Sequence, residues 1–154
     1  MIRKPASSRS PPALTVAIVD GDPLLRHALR MRLAAEDDIE LVGEATDAST
    51  GIELVRDQRP DLVLIELELR DRSGSDAMCE ILTISPESRV IMLAADADET
   101  TQLQALQAGA AGFLLKSIDL NILPRVLRGV RAGEAAVSRS VAMRLVEEVQ
   151  ARES

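Results

Sequence analysis

Short apolar runs and helical apolar spacings alternate along the chain from residue 14 to residue 133. The apolar runs predict five strands, over residues 14–19, 39–45, 62–65, 89–93 and 112–115. Between and after them, apolar residues three and four positions apart predict helices over 23–33, 50–58, 75–84, 99–108 and 120–132. Five alternations of strand and helix are typical of a parallel sheet that is covered by helices on both faces.

The predicted fold is an α/β, doubly wound, five-stranded parallel sheet of the flavodoxin-like type, with strand order 2-1-3-4-5. In such a sheet, ligands and chemistry collect beyond the carboxyl ends of the strands, at the point where the strand order reverses. This order brings Asp20, Glu66, Ala94 and Lys116 to one edge, each from the end of a different strand. Residues that are distant in sequence are therefore predicted to share one pocket.

The central strand determines which residue of that pocket needs explanation. Residues 62–65 are Leu-Val-Leu-Ile, an unbroken apolar run preceded by Pro60, as expected of a strand that is buried on both faces. Glu66 stands where this run meets solvent. A buried central strand that ends in a carboxylate predicts a functional position at Glu66.

The two ends of the chain differ from the alternating region. Residues 1–13 contain three prolines, three serines and three basic residues, a composition that predicts a disordered tail. Residues 134–154 contain one more amphipathic helix, over 138–151, that we expect to be a C-terminal linker helix. Its apolar positions Val141, Leu145 and Val149 are not needed by a core that the five-stranded unit completes, so we expect them to face a partner. The predicted domain covers residues 14–133.

Composition limits the possible classes of function. The chain has 154 residues and 46% hydrophobic content, which suits one core, and this core is aliphatic because there is one Phe and no Trp or Tyr. A formal net charge of -7 argues against holding nucleic acid or an anionic membrane through the overall field. No run approaches the roughly 20 apolar residues of a membrane span, and no secretory signal is recognisable, so a cytoplasmic location is expected.

Three motifs carry a resemblance to a known family. Residues 109–116, Gly-Ala-Ala-Gly-Phe-Leu-Leu-Lys, are similar to the fifth-strand signature of response-regulator receiver domains of the NarL/FixJ (LuxR-type) subfamily. Residues 19–23, Val-Asp-Gly-Asp-Pro, and the pair Gly133-Glu134 fit the same subfamily. In that family an Asp at the end of strand three accepts a phosphoryl group from a histidine kinase, and two acids after strand one hold Mg²⁺. A Ser or Thr after strand four and a Lys after strand five contact the phosphate.

Carried over residue by residue, the resemblance assigns the phosphoacceptor position to Glu66 and the acidic pair to Asp20 and Gly21. The hydroxyl position after strand four is Ala94, the aromatic switch position is Phe113, and the phosphate-contacting lysine is Lys116. The site is thus degenerate: no catalytic residue and no cofactor are expected. Asp20 remains as a weak metal candidate.

Physical chemistry leads to the same expectation. Mg²⁺ demands near-ideal octahedral oxygen geometry, and this site has lost one carboxylate while another is longer by a methylene. Glu66 instead supplies a permanent negative charge, and Lys116 is its available cation, so we predict an ion pair between them. A phosphate carries more charge and three acceptor oxygens, so Glu66 would resemble an aspartyl phosphate only in part.

The sequence therefore predicts a non-enzymatic pseudo-receiver that works without phosphorylation, forms a homodimer through the fifth helix, with the last helix as a second candidate surface, and controls transcription by protein contact. DNA binding is expected only through a C-terminal helix-turn-helix domain that is absent from this chain, while phosphorylation by a cognate histidine kinase and membrane contact are not expected. Three alternatives stay open: a stand-alone signalling adaptor, a small-molecule-sensing pseudo-receiver, and a true phosphoacceptor that uses an unusual site.

Overall fold

The structure, a computed structural model, describes residues 13–153. Five parallel strands form one sheet in the order β2-β1-β3-β4-β5, as predicted. The strands are β1 (Leu14–Val19), β2 (Ile39–Ala45), β3 (Leu62–Glu66), β4 (Arg89–Ala94) and β5 (Gly112–Leu115). The helices are α1 (Pro23–Ala34), α2 (Ala48–Gln58), α3 (Gly74–Ile84), α4 (Glu99–Gln107), α5 (Leu123–Arg131) and α6 (Arg139–Glu153). The disorder predicted for residues 1–13 concerns a stretch that, apart from Ala13, lies outside the described residues.

The core lies on both faces of the sheet, which explains why β3 is apolar throughout. Its alternate residues Val63 and Ile65 belong to the cluster that contains the inner residues of α2 and α3. Leu62 and Leu64 belong to the opposite cluster, with the inner residues of α1 and α5. All four side chains are fully buried. The strand therefore has one polar end, and that end is Glu66.

Side-chain caps fix where the helices begin. Asp22 accepts a hydrogen bond from the Leu24 amide, and Pro23 occupies the first turn of α1. Asp47 caps α2 in the same way, so this helix begins two residues before the predicted position. The predicted start of α5 at residue 120 is wrong: the helix begins at Leu123, since Pro124 lacks an N–H and is tolerated only in a first turn.

The segment after α5 covers the free edge of β5. Ala136 pairs with Gly112 in a parallel bridge. The Phe113 amide donates to the Ala136 carbonyl at 2.7 Å, and the Ala136 amide donates to the Ala111 carbonyl at 3.2 Å. An unpaired strand edge is thereby closed by a short piece of extended chain, which then turns back into α6.

This turn places α6 against α4 and changes which residues of α6 are free. Val141 is fully buried, so the prediction that it faces a partner is wrong, while Leu145 is half-buried and Val149 is exposed. The Gln107 side chain donates to Glu148 at 2.9 Å, which ties the two helices together. The domain core therefore extends beyond residue 133.

None of the helices in the described residues is long and apolar enough to cross a membrane.

Candidate functional site

Three charged side chains meet at the carboxyl edge of the sheet. Asp20 follows β1, Glu66 ends β3, and Lys116 follows β5. Strands β1 and β3 are direct neighbours, with Val19 paired to Ile65, so the two carboxylates lie side by side. The structure thus brings together three of the four residues that the strand order predicted for one pocket as interacting side chains.

The Lys116 ammonium lies between the two carboxylates. Its Nζ is 2.8 Å from Glu66 Oε1 and 2.9 Å from Asp20 Oδ2. The exposed fractions of the three side chains are 16% for Lys116, 22% for Glu66 and 0% for Asp20. The predicted ion pair between Glu66 and Lys116 is confirmed, and Asp20 turns it into a triad of two carboxylates around one ammonium.

The second carboxylate oxygen of Glu66 also has a partner. The Gly21 amide donates to Glu66 Oε2 at 3.1 Å. Because a glutamate is one methylene longer than an aspartate, its carboxylate reaches both the ammonium and the main chain that follows β1. The Glu66 carboxylate is therefore held at both oxygens.

Asp20 is the buried member of the triad. Its Oδ1 accepts hydrogen bonds from the Asp22 amide at 2.8 Å and from Lys116 Nζ at 3.1 Å. Its Oδ2 is closer to the ammonium, but no donor among residues 13–153 is aligned with it for a hydrogen bond. Burial raises the pKa of Asp20, and the hydrogen bond from Lys116 only partly offsets this effect. The ionised form of Asp20 therefore depends on the neighbouring ammonium.

Lys116 responds to the opposite balance of effects. Partial burial acts to lower its pKa, but the hydrogen bonds to Glu66 and Asp20, together with their charges, outweigh burial and raise the pKa above its ordinary value. Lys116 therefore stays charged wherever the protein is folded at ordinary pH. The centre of the site is a permanent cation between two acids.

The Mg²⁺ that the family resemblance implies does not fit these residues. A hard cation needs several oxygen ligands around it, and here the Lys116 ammonium already lies between the two carboxylates that could hold one, 2.8 Å from Glu66 Oε1 and 2.9 Å from Asp20 Oδ2. Gly21 offers no carboxylate, and Asp22, one position farther on, is exposed and caps α1. Among the described residues, no group of three carboxylate, imidazole or thiol side chains is arranged to hold a metal ion.

Ala94 and Phe113 lie outside the ionic contacts. Ala94 ends β4 and is buried, and its carbonyl accepts the Lys116 amide at 2.8 Å, so it contacts the site through its backbone. Phe113 is 3% exposed and packs in the core on the α2–α3 face. Neither side chain carries a hydroxyl. The structure therefore places both side chains as packing groups in the core.

Two further residues bind main-chain groups just after β1 and β2, and both were missed from the sequence. The side chain of Arg26, on α1, is 17% exposed and donates to the Asp20 carbonyl at 2.7 Å. Asp71, in the loop after β3, accepts hydrogen bonds from the amides of Ala48 and Ser49 at the start of α2. The position of Arg26 one turn after the Asp22 cap was the available signal. For Asp71 the sequence carries none, because the contact joins a loop to a distant helix.

Gly74 positions the end of β3 and yields a stability prediction. Its amide donates to the Leu67 carbonyl at 2.6 Å, and a Cβ at this position would fall well inside van der Waals contact with the Glu66 carbonyl oxygen. We expect Gly74→Ala to lower the free energy of unfolding by about 1–3 kcal/mol, as for other overpacked sites. Urea denaturation measures this. The control is Ser75→Ala, one residue after Gly74, which should change stability little. Gly133→Ala would not serve as a control, because the positive φ of Gly133 adds backbone strain of its own. An equal loss of stability in Gly74→Ala and Ser75→Ala would contradict the steric explanation.

Comparison with known proteins places this geometry in a wider group. A family model described as the response regulator receiver domain matches residues 16–128. The chain is similar to the nitrate/nitrite response regulator protein NarL of Escherichia coli strain K12, with 30% identity over 127 residues that cover 82% of this chain and 59% of that protein. It is 28% identical to the transcriptional regulatory protein DegU of Brevibacillus brevis, over 88% of this chain and 57% of that protein. The chain thus spans less than two thirds of the length of these relatives.

Solved structures agree with the family match. A two-component response regulator of the LuxR family from Aurantimonas sp. SI85-9A1 superimposes with a TM-score of 0.79 at 28% identity, covering 88% of this chain and 97% of that one. The signal receiver domain of the response regulator NarL from Mycobacterium tuberculosis gives a TM-score of 0.73 at 30% identity, covering 79% of this chain and 98% of that one. The predicted strand order and fold class are confirmed by these neighbours.

Proposed function

The chain belongs to the response regulator receiver domain family, and we propose that it signals by protein contact, without being phosphorylated. The observation that carries this proposal is the triad, in which Lys116 is bound by both Asp20 and Glu66. If a receiver domain is not phosphorylated, its partners bind it in one conformation, or its conformation changes in response to a signal other than a phosphoryl group.

The engaged carboxylate of Glu66 supports the absence of phosphoryl transfer. In-line transfer depends on positioning the attacking oxygen and on neutralising the charge of the transferring group. Here Oε1 accepts from the ammonium at 2.8 Å and Oε2 accepts from the Gly21 amide at 3.1 Å. These two donors hold the orientation of the carboxylate and draw negative charge from both oxygens, which weakens Glu66 as a nucleophile.

The same contacts support a fixed state of the site. Glu66, at the end of β3, forms an ion pair with Lys116, the residue that follows β5. This ion pair joins the ends of β3 and β5 across the sheet edge. The Lys116 amide is also held by the Ala94 carbonyl, at 2.8 Å. We propose that this cross-link replaces the phosphate-dependent contact and keeps the surface around β5 in one arrangement.

The wider role that we propose is control of transcription. The relatives named above include a transcriptional regulatory protein and a response regulator, both longer than the region that matches this chain. We propose that DNA is bound by a helix-turn-helix domain outside this sequence, in keeping with the net charge of -7, and that the chain associates with a second copy of itself. No histidine kinase is required in this proposal.

Labelling with acetyl phosphate tests the proposal. In millimolar Mg²⁺ we expect no phosphoryl adduct, as measured by intact-protein mass spectrometry, because Asp20 and Glu66 share the Lys116 ammonium and Gly21 supplies no further carboxylate for the metal ion. Glu66→Gln is the matched control, since it removes the charge and keeps the size of the side chain. A stoichiometric adduct on the parent chain that disappears in Glu66→Gln would overturn the proposal and make Glu66 a phosphoacceptor.

A further inference from the structure

The outward side of α6 carries an apolar stripe. Met143, Val146 and Val149 are 54%, 50% and 47% exposed, and they recur at a spacing of three, so they share one side of the helix. Val141, by contrast, is fully buried, and Leu145 is half-buried. The folding back of α6 thus uses one face of the helix and leaves a second apolar face in solvent.

Opposite charges mark the two ends of this outward face. Arg139 is at the start of α6 and Glu153 is at its end. Arg139, Val146 and Glu153 are seven residues apart, the repeat of a seam between paired helices, and Met143 and Val149 flank Val146 at three residues on either side. The face therefore runs from a cation, across apolar side chains, to an anion.

We infer that this face binds the α6 of a second copy of the chain in an antiparallel pair. A two-fold axis at Val146 places Val146 against its own copy and Met143 against Val149 of the other copy. It also places Arg139 of each copy beside Glu153 of the other, which gives two opposite-charge contacts. Parallel pairing would instead put Arg139 beside Arg139 and Glu153 beside Glu153, so charge selects the antiparallel arrangement.

The size of the face indicates a weak, reversible dimer. A helix of 15 residues is about 22 Å long. A single pair of such helices buries less than the roughly 800 Å² per partner of a standard stable interface. The apolar surface continues from Val146 into a shallow groove beside the sheet edge, lined in part by Leu106, Ala135 and Val137. This inference rests on the self-association proposed above and assigns it to a surface.

Sedimentation equilibrium of the 154-residue chain, over micromolar to millimolar concentrations, tests the apolar part of the interface. We expect Val146→Glu to raise the Kd of the dimer by at least about tenfold, since it buries two like charges at the axis. Arg56→Glu, an exposed charge reversal on α2, is the matched control and should leave the Kd unchanged. A dimer that is unaffected by Val146→Glu overturns the assignment to α6 and leaves self-association in place, whereas a monomer at every concentration overturns self-association itself.

Charge exchange and cross-linking test the direction of pairing. Arg139→Glu and Glu153→Arg should each weaken the dimer several-fold, and the double variant should restore it, because the two charges only trade places. In a Cys79→Ser background, which removes the exposed native thiol, Val146→Cys should form a disulfide with its own copy. Arg139→Cys should cross-link only when mixed with Glu153→Cys. Self-linking of Arg139→Cys alone would show parallel pairing and overturn the inference.

Discussion

Glu66→Asp alone is expected to leave the protein unlabelled by acetyl phosphate, whereas Glu66→Asp with Gly21→Asp is expected to give slow, Mg²⁺-dependent labelling at position 66. The single variant frees the Gly21 amide and shortens the acceptor, but Asp20 remains the one acid directly after β1. Two acids at that turn must exist before the metal can position a phosphoryl donor. Labelling at position 66 therefore requires that the metal site is restored first, by Gly21→Asp.

The structure leaves room for the second acid. A Cβ on Gly21 would meet only the Thr46 carbonyl oxygen at 3.6 Å and Glu66 Oε2 at 3.7 Å, both ordinary contact distances. Gly21 is exposed, so a carboxylate there is solvated when no metal is bound. Adding Ala94→Thr to the pair of substitutions supplies a hydroxyl beside the transferring group, and we expect it to raise the labelling rate by about tenfold or more.

Intact-mass kinetics with and without Mg²⁺ measure this series. Gly21→Asn in the Glu66→Asp background is the matched control, since it adds the same volume without a carboxylate charge, and should give no labelling. Robust labelling of the single Glu66→Asp variant would show that Gly21 is tolerated and that the argument from the metal site is wrong. If the triple variant (Glu66→Asp, Gly21→Asp and Ala94→Thr) stays unlabelled, we infer that the loop after β3 prevents phosphorylation. Arg70 in this loop, whose guanidinium lies 3.7 Å from the Asp47 carboxylate, is then the first residue to substitute.

Lys116→Met is expected to lower the free energy of unfolding at pH 7 by about 2–3 kcal/mol, somewhat less than the roughly 3–5 kcal/mol lost when one partner of a fully buried ion pair is removed, because Lys116 and Glu66 are partly exposed. Met keeps most of the volume of the lysine stem, so the loss is mainly electrostatic. It leaves Asp20, with a fully buried side chain, beside Glu66 and without its counter-ion. Adding Asp20→Asn to Lys116→Met should recover most of the loss, because the buried charge is then gone.

The sign of the pH dependence follows from Asp20. Its pKa is raised in the folded protein, so its contribution to stability is largest below the ordinary carboxyl pKa and is lost as the pH rises through the raised value. Removal of Lys116 takes away the hydrogen bond that opposes burial, which raises the pKa of Asp20 further. We therefore expect the stability difference between Lys116→Met and the parent chain to be larger at pH 7 than at pH 4.

Urea denaturation of the parent and the variants at pH 4, 5.5 and 7 measures this difference. Carboxylates with a lowered pKa, such as Asp71, which accepts hydrogen bonds from two amides at the start of α2, lose their stabilising effect in both proteins in acid, so the difference between the two proteins isolates the triad. A loss that is the same at every pH, or that Asp20→Asn does not recover, would indicate that Lys116 acts through packing of its stem.

The sequence alone determined the strands, the sheet order and the identity of the central ion pair. The predicted bounds of β1, β2 and β5 are the observed ones, because a strand buried in a sheet is a run of apolar residues bounded by turn residues. Once the strand order was assigned, topology placed Glu66 and Lys116 at the same edge, and opposite charge made them partners. These inferences needed only local pattern and the fixed geometry of parallel sheets.

The tertiary structure alone decided how the site is closed and where α6 lies. The hydrogen bond from the Gly21 amide to Glu66, the full burial of Asp20 and the inward turn of Arg26 each depend on a distance between separate elements. Likewise, an amphipathic pattern shows that a helix has an apolar face, but not what covers it. Because Ala136 pairs with the edge of β5, the chain turns and α6 packs against α4. In this position Val141 is buried in the core and Val146 is exposed to solvent. Periodicity records burial along one element, whereas the choice of neighbour is set by the path of the chain between elements.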